Sequence, residues 1–404
     1  MAAGLRRPLT QAVPHLWASP RDPPSGFPPP AAATFSGVLH LKVMNSPLLQ
    51  VTDRGLYCEV GEFYIDPWRP VERAVITHAH SDHARRGHVR MLCAPDGVDV
   101  LRTRMLPEAV IDTVPYGQPV DHRGVTISLH PAGHILGSAQ VRVEWRGEVW
   151  VVSGDYKLSP DPTCRPFEPV KCHTFITECT FGLPIYRWAP QSRLADELNA
   201  WWRGNRETGR HTVVFAYALG KSQRLLAAAD PAIGPIVCHG AVERVNAEYR
   251  AGGIALPPTR RVTEFTRDEL AQGGILVIAP PSAMGTPWLR RFQPCETAFA
   301  SGWMLVRGTR RRRGVDRGLV LSDHADWPGL LTAIEATGCQ RVLATHGHTA
   351  VLVRHLRNNG FEADSLHTEF VGEGDDGEQE TPDTPETPEI ALESPVADSA
   401  GESQ

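Results

Sequence analysis

The chain has 404 residues, 41% of them hydrophobic and 22% charged, with a formal net charge of -5. That length carries a large core and room for two domains, and the composition is that of an ordinary globular protein. No apolar run approaches the roughly 20 residues a membrane span needs. The eight cysteines form no Cys-x-x-Cys pair, so they read as small buried hydrophobes of a reducing cytoplasm rather than a disulfide framework or zinc ribbon. The charge is uneven. From Glu373 to Gln404 there are eleven acidic residues and no Lys or Arg, so the remainder carries +6. A mildly basic body permits a polyanionic partner.

Residues 1–43 are rich in Pro and Ala, lack helix or strand periodicity and read as a disordered leader. The leader holds Arg6 and Arg7 but no apolar core of signal-peptide length, so the expected location is the cytoplasm. Met44 precedes the first structured-looking run, and the natural start lies either there or at Met1. Short strands follow at 48–51, 56–60 and 62–65, the third closed by Asp66-Pro67. The apolar run Arg73-Ala74-Val75-Ile76-Thr77 reads as a buried strand. It leads into His78-Ala79-His80-Ser81-Asp82-His83. His78 and His80 are two apart, so an extended segment presents both from one side. Imidazole and carboxylate together suit zinc or a similar divalent ion. A His-rich surface loop is the plain alternative.

This stretch resembles the His-x-His-x-Asp-His signature of the metallo-β-lactamase fold, an αββα sandwich. The resemblance implies two metals, one on the first two His and one on the Asp and last His, and hydrolysis by activated water. It also asks the rest of the chain for a third and a fourth His and a bridging carboxylate. In that fold a carboxylate at the position of Asp66 orients the metal loop; on local grounds Asp66 is equally a turn Asp before Pro.

A strand at 125–129 leads into His130-Pro131-Ala132-Gly133-His134-Ile135-Leu136-Gly137-Ser138. The glycines let the backbone bring an imidazole close to a buried centre. His134 is the candidate third His, with His130 supporting a ligand from behind. Strands at 141–145 and 148–152 form a hairpin across Arg146-Gly147. The second ends in Ser153-Gly154-Asp155, and Asp155 is the candidate bridge. A strand at 172–177 ends in Glu178-Cys179-Thr180-Phe181-Gly182.

The style then changes. A helix at 194–203, a strand at 212–217, a helix from Gly220 through Ala229 and a strand at 275–279 indicate an α/β unit with a parallel sheet. Lys, Ser and Gly at strand ends suit phosphate contacts. Gly220-Lys221-Ser222 is not a P-loop, because Phe stands at 215 where the spacing needs Gly. The first style returns with a strand at 318–321 ending in Ser322-Asp323-His324-Ala325-Asp326, and a helix at 327–336. A strand at 341–344 then ends in Thr345-His346-Gly347-His348, and a helix follows at about 350–359. Beyond Val371, acidic Thr-Pro repeats read as a disordered tail.

Glu178 in Thr-Glu-Cys-Thr-Phe-Gly, His324 in Ser-Asp-His-Ala-Asp and His346 in Thr-His-Gly-His resemble the three extra motifs of the β-CASP branch of that fold. The branch contains nucleases in which an inserted α/β β-CASP domain forms a cleft with the core. The expected division is a leader at 1–43, first core part at 44–184, insertion at 185–315, second core part at 316–371 and tail at 372–404. Phe-Ala-Tyr-Ala-Leu-Gly-Lys-Ser-Gln-Arg at 215–224 and Ser-Gly-Trp-Met at 301–304 are similar to motifs of the bacterial ligase-associated DNA exonucleases. His346 resembles the RNA-processing members.

On this resemblance His78, His80 and His134 hold one ion and Asp82, His83 and His346 the other, with Asp155 bridging. Zinc is the expected metal and manganese the alternative. His324 protonates the leaving oxygen or stabilises charge on the phosphorane, oriented by Glu178. Lys221, Ser282 and Ser301 are candidate phosphate contacts and equally ordinary loop residues. His88, His122, His173, His211, His239, His355 and His367 lack companions at ligand spacing and read as structural or exposed, with His348 intermediate. The arginines at 310–313 are a solvated patch or a grip on nucleic-acid backbone.

The expected function is exonuclease action on single-stranded or frayed DNA ends in DNA repair. The alternatives are an RNA-processing ribonuclease, a small-ester hydrolase, or a catalytically inert nucleic-acid-binding module. The insertion argues against a small-molecule hydrolase and the intact ligand set against an inert module. The resemblance also implies work beside a DNA ligase and a helicase, with no membrane role.

Overall fold

The computed structural model describes residues 47–369, except 308–310 and 312. The expected leader, the expected acidic tail and two arginines of the 310–313 run lie outside them.

Short β-branched runs build two facing sheets. The first holds, in order, β1 (Gln50–Val51), β2 (Leu56–Cys58), β3 (Phe63–Ile65), β4 (Arg73–Val75), β5 (Arg90–Cys93) and β6 (Val110–Thr113). It is antiparallel as far as β3 and parallel from there. The second begins with an antiparallel meander, β7 (Val120–His122), β8 (Val125–Pro131), β9 (Ala139–Trp145) and β10 (Glu148–Val152). It continues in parallel through β11 (Thr174–Cys179), β17 (Arg341–Gly347) and β18 (Glu362–Ser365).

The inner faces pack together: Phe63, Ile65, Val75 and Leu92 meet Ile127, Val141, Trp150 and Ile176. The helix α1 (Val98–Arg104) covers the outer face of the first sheet, with Val100 and Leu101 against Ala74 and Met91. The outer face of the second takes α6 (Trp327–Thr337) and α7 (Thr349–Asn358), with Leu330, Ile334, Leu352 and Leu356 against Phe175 and Val342. Each such side chain contributes about 1.5–3 kcal/mol by leaving water. The layers are therefore α, β, β, α.

Between β11 and β17 the chain leaves this sandwich and builds a third sheet. Its elements are α2 (Gln191–Glu207), β12 (His211–Phe215), α3 (Lys221–Ala228), β13 (Ile236–Cys238), α4 (Gly240–Ala251), α5 (Arg267–Ala271), β14 (Leu276–Ala279), β15 (Cys295–Ala300) and β16 (Arg317–Leu319). The strand order is β13-β14-β12-β15-β16, all parallel. β12 and β14 are buried along their whole length, which is why they read as unbroken apolar runs. Leu198, Trp202 and Leu225 cover one face, and Phe292 and Met304 the other.

One boundary differs from expectation. The strand near 318 was expected in the returning core, but β16 pairs with β15, Ala298 opposite Arg317 and Ala300 opposite Leu319. The inserted unit thus runs through Leu319. Three residues carry too little periodicity to show which sheet claims them. No helix among the described residues is long and apolar enough to cross a membrane.

Candidate metal centre

The site lies where strands of the two core sheets end. β4 delivers the 78–83 loop, the β8–β9 turn His134, β10 Asp155, β11 Glu178 and β17 His346. The loop after β16 brings His324 from the edge of the inserted unit. These positions span 78 to 346 in sequence, yet their donor atoms converge. His78, His80, His134 and Asp155 offer atoms within 4.8 Å of one another, and so do His83, Asp155 and His346.

Asp155 is the common member. Its Oδ2 lies 3.4 Å from His78 Nε2, 3.6 Å from His83 Nε2 and 3.7 Å from His134 Nε2, and its Oδ1 lies 3.1 Å from His346 Nε2. The other ring nitrogens are held from behind. His78 Nδ1 is 3.0 Å from Thr77 Oγ1 and His346 Nδ1 is 2.9 Å from Thr345 Oγ1. His83 Nδ1 is 2.8 Å from Asp66 Oδ2, while the same carboxylate takes Thr77 N at 2.8 Å and Thr77 Oγ1 at 2.5 Å. Asp66 thus ties the orientation of His83 to the start of the ligand loop. His80 places Nδ1 3.0 Å from His134 Nε2.

Burial pushes His78 down to about 4, aided by the charge of His83, and pushes His134 well below its ordinary value. Both therefore present lone pairs at neutral pH, as a metal ligand must. His78 Nε2 is buried and makes no hydrogen bond among the described residues. A neutral, aimed, unbonded nitrogen beside a shared carboxylate fits a divalent cation of the zinc kind. Two such ions fit the two donor sets.

His324 stands next to this cluster, Nδ1 4.0 Å from Asp155 Oδ2. Glu178 grips the same nitrogen at 2.9 and 3.0 Å through its two oxygens. Glu178 is itself fixed by Tyr156 N at 3.1 Å and Thr180 Oγ1 at 2.6 Å. Phe181, Trp188 and Trp303 pack edge-on or tilted beyond, and half-buried His348 closes this aromatic group.

Other expected residues stand elsewhere. Asp82 sits at the rim, 18% exposed, with its carboxylate 3.6 Å from His83 Nε2 and outside the two donor sets. His130 reaches Ser128 Oγ at 3.0 Å, a neighbour on its own strand, and hydrogen-bonds no candidate ligand among the described residues. Its strand alternates, and position 130 falls on the half-buried face.

Lys221, expected on phosphate, is wholly buried with Nζ 2.6 Å from Asp323 Oδ1. Ser301 spends its hydroxyl on the N–H of Trp303 at 3.3 Å. Ser282 is exposed in the turn after β14. Among the remaining histidines, His211 bonds the Leu270 carbonyl, His239 caps α4, and His173 accepts from Val149 N.

Sequence reasoning gave no role to Asp323, Arg224 or Lys157. All three are buried beside the ligands. Asp323 and Arg224 do stand inside the quoted motifs 322–326 and 215–224, and that was the only signal.

No protein-family model matches the chain. A protein of Opitutus terrae named "Probable DNA ligase" is 33% identical over 312 residues, which is 76% of this chain and 30% of that protein. The "Cleavage and polyadenylation specificity factor subunit 3" of Dictyostelium discoideum is 29% identical over 124 residues, 30% of this chain and 16% of that protein. "Endoribonuclease YSH1" of Saccharomyces cerevisiae is 28% identical over 122 residues, 30% of this chain and 15% of that protein. The chain thus spans less than a third of the length of these relatives. A solved structure from Enterococcus faecalis, of a protein of unknown function, shares the fold with a TM-score of 0.51 at 12% identity, over 74% of this chain and 79% of that one.

Sandwich, insertion and likenesses together define a metallo-β-lactamase-fold protein. This chain is of the β-CASP branch of that fold.

Proposed function

We propose that this chain is a two-metal phosphodiesterase that acts as an exonuclease on single-stranded or frayed DNA ends. The observation that carries the reading is Asp155. One carboxylate faces four imidazole nitrogens within 3.1–3.7 Å, with the His324–Glu178 pair 4.0 Å away. His78, His80, His134 and Asp155 would hold one ion, and His83, His346 and Asp155 the other, with Asp82 at the rim of the second. Bound there, two such ions lower the pKa of water and neutralise phosphate charge.

The chain's own residues do the rest. Asp66 and Thr77 keep the ligand rings in orientation. Glu178 holds His324 at Nδ1, so Nε2 carries the proton a leaving oxygen needs. Burial opposes charging of His324, but the carboxylates of Glu178 and Asp155 outweigh it and push it up to about 9. It is therefore charged at neutral pH.

DNA is favoured by the extent of likeness: the relative named a DNA ligase matches 76% of this chain, the endoribonucleases 30–40%. The same likeness supports action beside a DNA ligase, and the motif resemblance adds a helicase. All eight cysteines are thiols and seven are buried, in keeping with the cytoplasm. A second reading, an RNA-processing ribonuclease, is favoured by the likeness to endoribonucleases. The test is end-labelled single-stranded DNA and matched RNA, with zinc or manganese, against Asp155→Ala and His324→Ala. Mononucleotide release from DNA, lost in both variants, is the expected result. Cleavage of RNA alone would shift the assignment to the second reading, and undiminished variants would refute the site.

A further inference from the structure

We propose that residues 219–224 of the inserted unit form a clasp that completes one of the core's two metal sites. The ion on His78, His80 and His134 is held firmly only when the clasp is intact. The proposal rests on the two-metal reading above.

A ligand imidazole gives one nitrogen to the cation and the other to an acceptor that fixes tautomer and angle. For His80 that acceptor is the Leu219 carbonyl, 3.3 Å from Nε2 and 139 residues away in the chain. For His134 it is the Asp323 carbonyl, 2.9 Å from Nδ1. Asp323 is in turn gripped by Lys221, whose Nζ lies 2.6 Å from Oδ1, both side chains being fully buried. Arg224, also fully buried, donates through Nη2 to the carbonyls of Gly133 at 3.1 Å and His134 at 2.6 Å. Its Nη1 reaches the Ser322 carbonyl at 3.4 Å. One planar guanidinium therefore ties the His134 loop to the 322–324 loop. Asp161 Oδ2, 3.6 Å from Nε, balances its charge.

The approach is too close for a side chain at Gly220. Its φ is +87°, and a Cβ there would fall 2.6 Å from Ile135 Cγ2 and 2.9 Å from Asp323 Oδ2.

Two wholly buried cations are a costly way to make a docking surface, because each leaves its hydration shell behind. What they touch explains them: the carbonyls beside one ligand, and the residue whose carbonyl holds that ligand. The second ion's histidines are held from the core. His83 leans on Asp66 at 2.8 Å and His346 on Thr345 at 2.9 Å, both in the core. The clasp therefore acts on one ion of the two.

The experiment uses the full chain loaded with zinc. The variants are Arg224→Lys, which keeps the charge and loses the fork, and Lys221→Met with Asp323→Asn, which removes both charges together. Zinc per chain is counted by mass spectrometry, its transfer to a coloured chelator is timed, and circular dichroism confirms folding. The expected result is biphasic release: one zinc leaves about 10- to 100-fold faster than in the wild type, the magnitude usual for lost outer contacts, and the other leaves at the wild-type rate. Folded variants that release both ions as the wild type does would overturn the clasp. Equal acceleration of both ions would overturn its assignment to one. A wild-type chain that holds no zinc or manganese would overturn the metal reading itself, and the clasp with it.

Discussion

A histidine serves a cation only when neutral and a leaving group only when charged, and local contacts set His78 and His324 apart in that respect. Burial keeps His78 down at about 4, while Glu178 and Asp155 overcome burial at His324 and push it up to about 9. A raised pKa means the charged form is present below that value and lost as pH rises through it. Glu178→Gln removes the nearest carboxylate. The alkaline limb of the kcat profile should then move from about 9 toward 6.5, and kcat at pH 7.5 should fall about tenfold as the protonated fraction drops, with zinc content unchanged. A limb that stays in place would remove Glu178 from the mechanism.

His88 gives a prediction of opposite sign. It is buried, neither ring nitrogen is hydrogen-bonded among the described residues, and burial lowers it from 6.5 to about 4. Its contribution is complete above pH 6.5 and lost as the pH falls to about 4, in all about 3 kcal/mol. Replacement by Phe should flatten the acid limb of apo-protein stability, followed by urea midpoints from pH 7 to 4.

At this scale the 78–83 cluster was legible because its members are neighbours in sequence. Arg224 and Lys157 were not, because their partners stand 63 to 165 residues away.

The elements present the ligands through turns that tolerate no side chain. Gly133 has φ +75°, and a Cβ there would overlap the Lys157 carbonyl. Gly117 has the same φ with nothing within 4 Å of its would-be Cβ. The pair separates backbone preference from crowding. Gly117→Ala should cost about 1 kcal/mol, the left-handed penalty alone, with zinc retained. Gly133→Ala should cost about 3 kcal/mol or more and loosen the ion on His134. Equal costs in thermal melts would show that the crowding relaxes.

Elements long enough to show a period were readable, such as α2 and β12, the first of which runs beyond its expected ends to Gln191–Glu207. β5, β7 and β13 have four residues or fewer, too few for alternation to stand out. β16 is legible as a strand but its sheet is not, since pairing is a long-range choice.

The whole molecule is one sandwich interrupted by a second unit. β11 and β17 pair in parallel although the insertion separates them, with Thr174 opposite Arg341. Closing the core sheet therefore means bridging the ends of the insertion. The two units also share the buried Lys221–Asp323 pair. Opening the interface would expose or orphan that pair, a loss of several kcal/mol. Such coupling should make the described body unfold as a unit. Trp201 and Trp202 report on the insertion and Trp150 on the core, all three largely buried. On heating the zinc-loaded chain, fluorescence of variants keeping one set or the other should fall at a single temperature. Chelation should lower that temperature without splitting it, because each site filled at a hundredfold excess over its Kd adds about 2.7 kcal/mol to the folded state. Two separate transitions in the loaded chain would mean that the insertion opens on its own. The buried Lys221–Asp323 pair and the contact of His80 with the Leu219 carbonyl could not then span the interface as the structure has them.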